Sequence, residues 1–101
     1  MTLDQLEELF EKHSSEFVEF ERIKNPKHTR SDLCAMLMID EIQSRYYPQI
    51  RTAKMISWAG HDEIHLDVDV EEISEYITEK EIIDLIRCGI RLEEGNFAMF
   101  V

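Results

Sequence analysis

The residues most suggestive of chemistry in this chain are His61, Glu63, His65 and Asp67. In an extended segment alternate side chains share a face, about 7 Å apart, so two imidazoles and two carboxylates would line one side of a strand. Such donors suit a transition-metal ion, and His61, His65 and Asp67 are the candidate ligands of a small metal-dependent enzyme or metal sensor. The same alternation has a plainer consequence. Ile64, Leu66 and Val68 face a core, and the odd-numbered positions face water. One strand rarely converges ligands by itself, so the plainer consequence is the expectation and the metal set is the alternative. No cofactor is expected.

Other reactive types are thinly spread. His13 falls on the apolar side of an amphipathic segment, where a histidine is more often packed at a core edge than used as a base. Asp40 and Glu41 follow an apolar run and read as a helix emerging into solvent, with nothing to fix a partner for a raised carboxyl pKa. Cys34 and Cys88 sit in apolar stretches without a CxxC partner, and read as small buried hydrophobes rather than a disulfide. The sequence has no nucleophile elbow, Gly-rich phosphate loop or HExxH pair. A non-enzymatic protein is therefore expected.

The elements that carry these residues can be read from period and punctuation. Thr2 with Gln5 opens a capped amphipathic helix through Leu6, Phe10, His13, Phe17 and Phe20, with a break possible at Ser14–Ser15. Asn25-Pro26 ends it. Thr29 or Ser31 caps a second helix, apolar from Leu33 to Ile39, read as buried on most sides and ending near Tyr46 before Pro48. Ile56 and Trp58, then Ile64, Leu66 and Val68, alternate with polar residues across the 59–62 turn, which reads as a β-hairpin. Asp69 with Glu72, and Thr78 with Glu81, open two short helices over 70–77 and 79–88, the second closed by Gly89. A strand over 90–94, a Gly95-Asn96 turn and a strand over 97–101 complete the chain. The expectation is a single α+β domain over 1–101: two N-terminal helices, a β-hairpin, two short helices and a C-terminal β-hairpin around one core.

Charge narrows the partners. The 101 residues carry 22 acids and 11 bases, net −11, which repels nucleic acid and anionic membrane surfaces. The ending resembles a winged helix in element order, but its second helix is net negative and unsuited to a DNA groove. Residues 1–54 are net −2 and residues 55–101 net −9, while the bases gather as Arg22, Lys24, Lys27 and Arg30 near Pro26 and Arg45, Arg51 and Lys54 near Pro48. Asp67, Glu71, Glu72, Glu75, Glu79 and Asp84 are the candidate contacts to a basic protein surface, with outward rows that approximate phosphate spacing. The alternative for the same residues is an ordinary solvated surface. The apolar terminal strand, Phe97 to Val101, also suggests an open edge that could pair with a second copy as a homodimer. No apolar run approaches the ~18 residues of a membrane span, and MTLDQLEELFEKH lacks the basic start and apolar stretch of a signal peptide.

The strand HDEIHLDVD, the helix from Asp69 to Ile77, the TEKE box at 78–81, the LIRCG end at 85–89 and the terminal AMFV resemble a group of small acidic bacteriophage and prophage proteins. The resemblance is strongest over 61–101 and weaker over FVEFERIKNPKHTRSDLCAMLMIDEI. It implies the cytoplasm of a bacterial host cell and an inhibitor or adaptor role against a host or phage protein. It carries over no catalytic or binding residue.

Overall fold

Local signals start most of the helices. The Thr2 hydroxyl accepts from the Gln5 backbone amide at 3.2 Å, and the Gln5 side-chain Oε1 accepts from the Thr2 backbone amide at 2.8 Å, which opens α1 (Leu3–Lys12). The break expected as possible at Ser14–Ser15 is present, and the part of the reading that carried the helix on to Phe20 is corrected: α1 stops at Lys12, and Ser14–Glu16 and Phe20–Arg22 form separate 3₁₀ turns. Between them Val18 takes a left-handed conformation (φ 57°), and its amide bonds the Ile86 carbonyl at 3.2 Å. That long-range bond wins over helical propensity in a β-branched residue.

The computed structural model describes residues 1–46 and 54–100; Pro48, Arg51 and Val101, which the sequence reading uses, lie outside the described residues. Helix α2 (Ser31–Tyr46) buries Cys34, Ala35, Met38, Ile39 and Ile42 along one stripe. It is less enclosed than its apolar run suggests, since Leu33 and Leu37 are exposed.

Strands β1 (Ile56–Gly60) and β2 (Glu63–Leu66) form the first hairpin. Its two-residue turn is His61-Asp62, both at positive φ, as a tight turn between right-twisted strands requires. Ile56 pairs with Leu66 and Trp58 with His65, so a bulge at Ser57 interrupts the alternation and sends Trp58 to the outer face. Asp69 caps α3 (Val70–Ile73), a single helical turn followed by turns to Tyr76, shorter than the expected 70–77 helix.

A second reciprocal cap, Thr78 with Glu81, opens α4 (Glu79–Arg87). The Gly89 amide bonds the Ile86 carbonyl at 2.9 Å and the Ile90 amide bonds the Leu85 carbonyl at 3.0 Å. This Schellman ending needs the φ of +96° at Gly89. Strands β3 (Arg91–Glu93) and β4 (Asn96–Phe100) then turn through Glu94-Gly95, one residue earlier than the expected Gly95-Asn96.

The two hairpins join through β2 and β4 into one antiparallel sheet of order β1-β2-β4-β3, and the fold is α+β. β4 is thus bonded on both sides. The open edge expected at Phe97–Val101 is corrected for its described part: the sheet's edges are β1 and β3. Ile64 and Met99 face inward together, with Phe97, onto α4, whose Ile82, Leu85 and Ile86 are buried. Cys34 and Cys88 are both buried there as free thiols, the Cys88 thiol lying against Cys34. Burial pushes the Cys88 thiol pKa well up, and the neighbouring Cys34 adds to the shift. Among the described residues, no helix is long and apolar enough to cross a membrane.

Candidate functional site

The proposed metal set does not converge. His61 belongs to the turn, with its ring 6.3 Å from that of Trp58. Asp67 lies beyond β2, its amide bonded to the Met55 carbonyl at 2.7 Å. Among the described residues, the metal-capable atoms that come together belong to Glu63, His65 and Glu93, within 4.8 Å of one another. Pairing explains why: Trp58, His65, Ala98 and Arg91 form one row across the four strands. Ala98, fully buried, stands between His65 and Arg91 in that row. The guanidinium pairs with Glu63 and Glu93 and stacks 4.5 Å from the centre of the Phe100 ring, while His65 Nε2 lies 3.2 Å from Glu63. A cation already occupies the cluster, so its geometry is that of an ion-pair network. A metal ion would have to displace Arg91.

The six carboxylates predicted as partner contacts separate into two groups. Glu79 is bound by Lys12 at the end of α1, at 3.7 Å, and by His13 just after it, at 2.7 Å. The hydrogen bond from His13, then Lys12, holds its carboxyl below the usual carboxylate range. Asp84 is buried beside Arg87 at 3.1 Å and Lys80 at 3.9 Å. Glu79 thereby ties the start of α4 to the end of α1, whereas Asp84 is held by bases of its own helix. Glu71 and Glu75 are exposed and Glu72 half-buried, with no ion pair among the described residues; Asp67 is half-buried nearby in sequence.

Other bases are similarly engaged. Arg87 reaches Glu16 at 3.0 Å, Arg22 reaches the same carboxylate at 2.9 Å, Lys27 pairs with Glu41, and Arg45 with Glu81. Cations spent on these pairs leave other carboxylates without a counter-ion. Asp4, Glu7, Glu8 and Glu11 on α1 are exposed and have no ion pair among the described residues. The reading from sequence passed over them because the first half of the chain is nearly neutral in total. Their visible signal was the polar face of α1. The chain just before α1 is tied to the end of α3: Met1 donates to the Ser74 carbonyl at 3.0 Å, and the buried Ser74 hydroxyl donates to the Met1 carbonyl at 3.1 Å.

A second feature had no signal in sequence. Leu3, Phe10, Phe17, Ile86, Ile90 and Leu92 line an open groove of about 780 Å³ between α1 and β3, with Glu7, Glu11 and Glu94 also on its walls. Phe10 and Phe17 follow the helical period expected of core residues, yet both remain only partly buried. The break at His13 leaves them bordering a depression. The chain matches no protein-family model, no curated protein and no solved structure.

Proposed function

We propose that this chain is a non-enzymatic interaction protein of phage type that presents carboxylates to a basic site on a host or phage protein. One observation carries the reading: Asp4, Glu7, Glu8 and Glu11 of α1 and Glu71, Glu72 and Glu75 in and just after α3 have no ion pair among the described residues, and the chain just before α1 is tied at Met1 to Ser74 at the end of α3. Their combined field favours a cationic partner and repels polyanions. The contacts are Asp4, Glu7, Glu8 and Glu11 with Glu71, Glu72 and Glu75, rather than Glu79 and Asp84. The resemblance of 61–101 to small acidic phage proteins supports a bacterial cell as the setting.

Capture from nuclease-treated bacterial lysate tests this. A basic partner is expected to bind at low salt and be released as the screening length falls from about 10 Å at 0.1 M to about 3 Å at 1 M. Joint reversal by Glu7→Lys, Glu8→Lys, Glu71→Lys and Glu75→Lys should abolish capture while circular dichroism stays unchanged. Capture indifferent to both salt and reversal would overturn the electrostatic reading.

A further inference from the structure

We infer that the groove between α1 and β3 is the docking slot for a short amphipathic helix of a protein partner, one carrying Lys or Arg beside its apolar stripe. The inference rests on the acidic-surface reading and specifies where on that surface a segment would seat. Phe10, Phe17 and Leu92 offer partly buried apolar surface inside the groove, which a partner's apolar side chains would cover. Glu7 and Glu11 stand one turn apart on α1, Glu94 projects from the β3–β4 turn, and all three are exposed without an ion pair among the described residues. Like charges four apart on a helix are unfavourable and are relieved by an approaching cation. Arg91 also lines the groove, but its guanidinium is engaged by Glu63 and Glu93. The walls therefore complement a cationic segment and repel an anionic lipid or nucleic acid.

Two features favour a helix over an added strand. β3 has three residues, too few to set the register of a paired strand. α1 has ten, about 15 Å of wall, enough to flank two to three turns of a helix laid along it.

The test titrates the full chain, followed by NMR, with a synthetic Leu/Lys peptide about three turns long and patterned for a helix. The expected result is saturable shifts at Phe10, Phe17 and Leu92. Glu7→Gln with Glu11→Gln should weaken binding about tenfold at low salt, and Glu71→Lys with Glu75→Lys should leave it within about twofold. Ser14→Trp, which fills the groove without altering charge, should abolish binding. A photo-crosslinker at the peptide's centre gives an independent readout on the unmodified chain and should label α1 and the β3–β4 turn. Equal weakening by both charge variants, or labels scattered over α3, would overturn the groove while leaving the acidic-surface reading intact. Equal binding of a Leu/Glu peptide would overturn the charge argument, and tighter binding of an alternating Leu/Lys peptide would overturn the helix. Silence from the peptide alongside salt-sensitive capture from lysate would sink the groove alone; failure of both would sink both.

Discussion

Arg87 joins three parts of the chain through one side chain. Its Nε donates to Glu16 at 3.0 Å, and its Nη1 donates to Asp84 at 3.1 Å and to the Arg22 carbonyl at 3.5 Å. The Arg87 hydrogen bond holds the Glu16 carboxyl below the usual carboxylate range; partial burial opposes it, and the charges of Arg22 and Arg87 assist. A depressed folded pKa means that the stability Glu16 supplies is fully present above the ordinary carboxylate value of about 4.3. It is lost as pH falls further, through the lower folded value. Glu16→Gln should therefore melt below the parent at pH 7 and converge with it in strong acid, as thermal melts across that range would measure. Parallel melting curves would contradict the assignment. The Asp84–Arg87 pair is suggested by three-residue spacing in the sequence. The Glu16–Arg87 bond spans 71 positions and depends on the left-handed turn at Val18, which no local pattern announces.

Caps and turns were legible where one short segment supplies both partners. Thr2 with Gln5, Thr78 with Glu81 and the Gly89 ending all follow from side-chain chemistry within six residues. Thr78→Ala removes an acceptor for the Glu81 amide and should cost about 1 kcal/mol in urea unfolding at neutral pH, whereas a surface substitution at Lys80 should cost far less. Strand alternation was less reliable. The Ser57 bulge separates Ile56 from Trp58, and the Trp58 indole crosses Gly60, where an added Cβ would lie 3.1 Å from the ring. Pairing of β2 with β4 was not legible either, because strand neighbours far apart in sequence are chosen by the shared core. That pairing is what assembles Glu63, His65, Arg91 and Glu93, so the metal reading drew on one strand where the cluster draws on two.

At the scale of the molecule, α4 supplies the centre of the core and the charged residues arrange themselves around it. Ile82, Leu85 and Ile86 face α1, the 3₁₀ turns and the inner sheet face, while Glu79 and Arg87 tie the same helix to its neighbours. Total charge was readable from composition. Which carboxylates stay unpaired was not, because it depends on where each base ends up after folding. Leu85→Ala should destabilise by about 2–5 kcal/mol in denaturant unfolding, the range for emptying a fully enclosed aliphatic site.

The adjoining Cys34 and Cys88 give that loss a second readout. A maleimide or iodoacetamide reacts with thiolate, and neither sulfur is presented to solvent in the closed molecule. Each alkylation thus records one excursion that uncovers a core sulfur. When reclosing outpaces labelling, the reaction is a clock running at the equilibrium frequency of that excursion. Two residues that serve as core packing make the chain its own reporter of how often its interior opens.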